Sequence, residues 1–129
     1  MRARPEEVVR LTLVHYMVTE KRYPAGLTAL EHSLSRSGKV FRADVVVYQK
    51  QGKPWLLAEC KAPDVPLDDN AASQALHYAS LLGVCFVALC NGITCTFLEL
   101  AHPDVGWQPG LPDFPIDSSS HAEEGPNFS

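Results

Sequence analysis

The stretch RADVVVYQKQGKPWLLAECK, residues 42–61, decides the fold. Two apolar runs, Val45–Val47 and Trp55–Ala58, flank Gln51-Gly52 and read as antiparallel strands joined by a turn. Each run delivers a carboxylate into otherwise apolar sequence, Asp44 in the first and Glu59 in the second. A buried charge is costly unless something pairs with it. An even loop centred on Gln51-Gly52 pairs Lys50 with Lys53, and the same register sets Asp44 opposite Glu59 and Arg42 opposite Lys61. Residues so opposed hold their Cβ atoms about 4.5–5.5 Å apart, and like charges there repel. Lys61, two residues past Glu59, lies on the same face roughly 7 Å along the strand. Two carboxylates and an amine therefore converge. That set suits phosphodiester hydrolysis: Mg²⁺ takes hard oxygen ligands, commonly one or two carboxylates, and stabilises developing charge. Lys61 is placed to handle the attacking water and the phosphate, and the backbone carbonyl of Cys60 is a further candidate ligand.

Asp44 followed fifteen residues later by Glu59-Cys60-Lys61 resembles the D…ExK core of the PD-(D/E)xK nuclease superfamily, with Ala43 where the eponymous proline would stand. The ordered set RPEEVVR (4–10), RADVVVY (42–48), GKPWLLAECKAP (52–63), Gln74…Tyr78 and CNG (90–92) resembles the N-terminal nuclease domain of type I restriction enzyme R subunits, in a small stand-alone form, over roughly residues 4–100. The resemblance implies a glutamate on the first helix that approaches the metal site, with Glu7 the preferred match and Glu6 the alternative. The Gln74…Tyr78 spacing is similar to the QxxxY feature of RecB-like nucleases. There it implies that Gln74 reaches the metal-site carboxylates or DNA, and that Tyr78 contacts nucleic acid or supports the lysine.

At 129 residues the chain is long enough for one domain with a sizeable core. No apolar run approaches a membrane span and no signal-peptide region opens the chain, so a cytoplasmic location is expected. Cys60, Cys85, Cys90 and Cys95 form no CxxC pair, and free buried thiols are expected rather than a zinc site. All 11 Lys and Arg lie within residues 1–61 beside six acids, whereas residues 62–129 carry nine acids and no Lys or Arg. The basic half holds the candidate site and is suited to a phosphate backbone.

Pro5, Glu6 and Glu7 open a helix expected over 5–22, with Val9, Leu13, Tyr16 and Met17 at helical spacing. Strands follow at about 27–34, 39–49 and 54–61, the last stopped by Pro63. Asp68, Asp69 or Asn70 caps a second helix over about 70–82 that closes at Gly83. Residues 84–90 read as an interior strand parallel to the third, and Asn91-Gly92 as the turn into a strand over 93–100. The fold class is therefore α/β, an α+β mixed sheet of the restriction-endonuclease-like type: helix, three-strand antiparallel meander, helix, two further strands. The domain is placed at 1–100. Residues 101–129 read as a Pro-rich, acidic, mostly irregular tail in which Trp107, Phe114 and Ile116 are available as anchors. The five histidines show no ligand spacing.

The expected function is a Mg²⁺- or Mn²⁺-dependent DNA endonuclease domain. Asp44, Glu59 and the Cys60 carbonyl hold the metal, Lys61 acts on water and phosphate, Glu7 and Gln74 assist, and Arg42, Tyr78 and Lys61 meet the nucleic acid. The alternative is a catalytically inactive nuclease-fold module that binds nucleic acid or a partner protein. RNA stays open beside DNA, and a homodimer or protein partner stays open as the assembly.

Overall fold

The computed structural model describes residues 4–115, the side chains at 31, 32, 34, 36 and 41 excepted. Helix α1 (Pro5–Thr19) is followed by strands β1 (Thr28–Arg36), β2 (Lys39–Tyr48) and β3 (Pro54–Cys60), helix α2 (Asp69–Leu82), and strands β4 (Phe86–Cys90), β5 (Cys95–Glu99) and β6 (Gln108–Pro109). The strands lie in sequence order in one sheet. All neighbours are antiparallel except β3 and β4, which are parallel, as the intervening helix requires. The mixed α/β architecture read from the sequence is present, with β6 in addition. No helix among the described residues is long and apolar enough to cross a membrane.

The two helices lie against two apolar clusters that follow strand alternation over Val45–Val47 and Leu56–Cys60. Val9, Leu13 and Met17 of α1 share a cluster with Val45, Val47, Leu56, Ala58 and Cys60. Ala75 and Ala79 of α2 share the other with Val46, Leu57, Val87 and Leu89. Three alanines one turn apart, Ala71, Ala75 and Ala79, are the buried face of α2 and let its backbone approach the sheet. Asp68 is the cap, its side chain accepting from the Ala71 amide at 3.0 Å, and Gly83 ends the helix at φ 77°. Helix α1 stops at Thr19, three residues before the expected end, and Arg22 turns the chain at φ 61°.

The β2–β3 hairpin reaches the expected register by a different route. Gln49 N–H donates to the Lys53 carbonyl and Gly52 sits at φ 86°, so the loop is three residues rather than an even turn pairing Lys50 with Lys53. Tyr48 is then opposite Pro54, but Val47 is opposite Leu56, leaving Trp55 as an extra residue in β3. The bulge cancels the offset of the turn. From Val47 onward the pairs are those of the sequence reading, with Val45 opposite Ala58. It also turns Trp55 into the α1-side cluster, where its ring lies 5.0 to 5.4 Å from those of Tyr23, Phe86 and Phe114.

Residues 101–115 hold little regular structure yet pack closely. Gln108-Pro109 pairs with Phe97-Thr96, Leu111 is buried, and the Tyr23 hydroxyl donates to the Pro112 carbonyl. Lys21 pairs with Asp113 at 2.7 Å. Trp107 packs on the α2-side cluster and Phe114 on the other. Ile116 and the rest of the tail lie outside the described residues.

The expectation of four free buried thiols is corrected. Cys90 and Cys95 form a disulfide, Cys85 is exposed, and only Cys60 is both free and buried. The reason lies in the β4–β5 turn. Asn91 Oδ1 accepts from the amides of Ile93 and Thr94, closing a four-residue loop that sets Cys90 directly opposite Cys95 with Cα atoms 4.3 Å apart. Cysteines five apart join here through cross-strand opposition, which no CxxC pattern announces.

Candidate active site

The sheet opens at one point. Registered pairing between β2 and β3 runs from Tyr48–Pro54 to Val45–Ala58. Beyond it the Cys60 amide donates to Asp44 Oδ2 at 2.7 Å instead of to a β2 carbonyl. Strand β3 stays with β4 instead: Glu59 is opposite Leu89, Cys60 opposite Cys90, and the Lys61 amide donates to the Cys90 carbonyl at 2.8 Å. Arg42 consequently has no ladder position opposite Lys61. It is opposite Ser33 on β1 and exposed.

Asp44 and Glu59 adjoin one another at this opening. Glu59 and Lys61 alternate in phase with Leu57, on the α2 side, whereas β2 departs from strict alternation at Asp44, since Ala43 packs into the same α2-side cluster as Val46. Glu59 is 9% exposed, and its Oε1 has no hydrogen-bond partner among the described residues. Burial pushes its carboxyl up to about 8, the charges of Asp44 and Glu6 push the same way, and Lys61 and a hydrogen bond from the Asp44 backbone oppose them. Lys61 itself is half-buried. The Cys60 thiol, in the α1-side core, is also pushed up, first by burial and then by Asp44, Glu59 and Glu6, with Arg10 opposing. Of the two α1 acids, Glu6 is thus the one whose charge both groups feel. Glu7 is half-buried on the same turn.

Gln74 is exposed on α2 and Tyr78, one turn on, is half-buried at the edge of the α2-side cluster with its ring 6.2 Å from that of His77. Asp44, Glu59, Lys61 and Glu6 are therefore gathered electrostatically, while Gln74 stands on the helix covering the same sheet face. Sequence reasoning missed Arg10, one turn beyond Glu6, whose charge acts on Cys60. Its i, i+4 spacing from Glu6 was the available signal.

The donor set fits a hard divalent cation. Among the described residues no three His, Cys, Asp or Glu side chains form a ready cage, but Mg²⁺ commonly takes one or two carboxylates and fills its other positions with water and phosphate oxygens. A buried carboxylate oxygen without a donor, beside a second carboxylate, is the arrangement such an ion relieves.

Residues 5–115 match the family described as type I restriction enzyme R protein N terminus. Among solved structures, the chain is similar to a fragment described as the HsdR subunit of a type I restriction enzyme from Vibrio vulnificus YJ016, at 19% identity and a TM-score of 0.59 over 94% of this chain. It spans 25% of that protein's length. It is also similar to a protein of the DUF820 group from Anabaena variabilis ATCC 29413, described as a nuclease, at 16% identity and a TM-score of 0.56, covering 92% of this chain and 75% of that one. At these identities the likeness is one of fold. A comparison with curated proteins finds no match.

Proposed function

The chain belongs to the family of the type I restriction enzyme R protein N terminus, and from that premise we propose that it is a metal-dependent endonuclease domain hydrolysing phosphodiester bonds in DNA. The observation that carries the proposal is the Glu59 Oε1 atom, buried without a donor next to Asp44 at the point where β2 and β3 part.

Asp44 and Glu59 would hold Mg²⁺ or Mn²⁺, with the Cys60 carbonyl as a third ligand. The bound ion supplies positive charge to the phosphate as the attacking and leaving oxygens develop negative charge. The chain's own groups do the rest. Lys61 donates hydrogen bonds to a non-bridging phosphate oxygen and orients the attacking water, and its ammonium offsets the two carboxylates. Glu6 is the α1 acid proposed to complete the acidic side of the site, in the role first given to Glu7. Gln74 and Tyr78 present an amide and a phenol from α2 towards the substrate.

The test is cleavage of supercoiled plasmid. Wild-type protein should nick or cut it with Mg²⁺ or Mn²⁺ and not with EDTA, and Lys61→Ala should lose the activity while keeping its fold. Unchanged cleavage by Lys61→Ala removes this mechanism. The raised carboxyl of Glu59 favours one second reading, a non-catalytic nuclease-fold module whose site stays protonated and metal-free near neutral pH. Thermal-shift titration with Mn²⁺ separates the two, because an ion that binds only the folded state raises the melting temperature.

A further inference from the structure

The ladder between β1 and β2 continues where that between β2 and β3 stops. Five pairs, from His32–Ala43 to Arg36–Lys39, extend past Val45. Among the described residues no third strand pairs with residues 39–44. They make a two-stranded ribbon roughly 17 Å long, turned tightly at Ser37-Gly38, where both residues have positive φ (52° and 77°). Ser33, Ser35, Ser37, Lys39, Val40 and Arg42 are all exposed along it, Val40 at 67%. Asp44 stands at its root.

The ribbon's chemistry is one-sided. Residues 32–43 contain Arg36, Lys39 and Arg42, three serines and no acid, in a chain whose net charge is −4. Arginine, lysine and serine are the side chains that meet phosphate oxygens and base edges. A two-stranded β-ribbon is also one of the two protein shapes that enter the major groove of B-form DNA, about 12 Å wide. The deep, narrow major groove of A-form RNA excludes it.

We propose that the β1–β2 ribbon is the arm by which this chain docks on duplex DNA, entering the major groove so that the adjoining strand is carried to Asp44. The inference rests on the proposed nuclease function for what happens at the root; docking itself is measured without it. An unpaired ribbon with apolar Val40 exposed would also suit a second copy of the chain, but its uniform charge sets two copies against each other and favours a polyanion.

The experiment is fluorescence anisotropy with a labelled duplex of about 30 bp and arbitrary sequence, in EDTA so that nothing is cut, over a range of salt. Wild-type protein should bind the DNA duplex in preference to an RNA duplex of the same sequence. Lys39→Ala/Arg42→Ala should weaken DNA binding by about tenfold or more and lower the slope of log K against log salt by about two. Lys53→Ala, which removes a charge from the β2–β3 turn at the far end of β2, should leave both within error. Circular dichroism confirms that the double variant is folded, and light scattering reports any self-association. Equal affinity of the double variant and wild type, equal loss in Lys53→Ala, equal binding of duplex RNA, or no binding of DNA by wild type each overturns the proposal. If the ribbon results hold and wild type cuts no plasmid with Mg²⁺, the nuclease reading alone falls.

Discussion

The carboxylate of Asp44 takes the place of a β-strand: its Oδ2 accepts the Cys60 amide at 2.7 Å, at the position where the β2–β3 ladder ends. A side chain that satisfies a buried backbone donor is fixed by that bond. Asp44 is thereby held beside Glu59, and β3 is free to deliver Glu59 and Lys61 from its end while remaining laddered to β4. The opening of the sheet and the gathering of the acids are one structural event.

Asp44→Ala and Asp44→Asn should consequently differ. Alanine leaves the Cys60 amide without an acceptor, a loss of about 1–3 kcal/mol for a buried donor. Asparagine keeps an acceptor oxygen and should lose little stability. Both should abolish Mn²⁺ stabilisation, since the ion requires the anionic oxygen. Denaturant melts with and without Mn²⁺ check this, and equal stability of the two variants would remove the structural half of the role given to Asp44.

Glu59 makes the metal-free protein sensitive to alkali. Burial pushes its folded carboxyl up to about 8 from an ordinary 4.5, so between those pH values the folded state holds the proton more tightly than the unfolded state. Stability should fall as pH rises through that window, by at most ~1.4 kcal/mol per pH unit, and level off above it. Glu59→Gln, with no proton to lose, should flatten the profile. Since the ion binds the deprotonated carboxyl, Mn²⁺ affinity of wild type should increase with pH up to about 8. Melting temperatures across pH 5–9 test all three, and parallel curves for wild type and Glu59→Gln would contradict them.

The approach of Asp44 to Glu59 was legible because the Val45–Val47 and Leu56–Ala58 runs oppose one another in the expected register, which leaves the two acids together where the ladder ends. Even the wrong turn did no harm, since the Trp55 bulge restores the pairing that the three-residue loop displaces. What the sequence hid depends on distant chain. Nothing local in Gln108-Pro109 marks a strand, because β6 is two residues long and exists only as a partner for β5. The choice between Glu6 and Glu7 depends on the rotation of α1 about its axis, which its weak apolar periodicity leaves open: Val8, Leu11 and Tyr16 are exposed while Val9, Leu13 and Met17 are buried.

The Cys90–Cys95 bond closes a short loop, so its contribution should be modest, about 2 kcal/mol. Asn91 already closes the turn through two backbone amides, and the reduced protein should stay folded with a lower melting temperature. Maleimide labelling of the unfolded chain should find two reactive thiols without reductant, at Cys60 and Cys85, and four after it. Four thiols in protein kept oxidising throughout would mean that the pair does not form.

Helix α1 seats against the β4–β5 turn at one glycine. A Cβ on Gly92 would lie 3.2 Å from Val9 Cγ2, and Gly92 has φ 90°. Gly52 has nearly the same backbone, φ 86°, with nothing within 4 Å of its would-be Cβ, and so serves as a matched control. Gly52→Ala should lose about 1–2 kcal/mol from left-handed strain alone. Gly92→Ala should lose that and a further ~1–3 kcal/mol, because Val9 is buried and cannot swing into solvent. Val9→Ala combined with Gly92→Ala should recover most of the difference, a coupling that only direct contact produces. Glu6 lies one turn before Arg10 on the same helix, so displacing α1 at Val9 should also weaken Mn²⁺ binding in Gly92→Ala, and the double variant should regain it. Additive losses in the double variant would show that Val9 does not rest on Gly92, and that the reach of Glu6 towards Glu59 is set elsewhere.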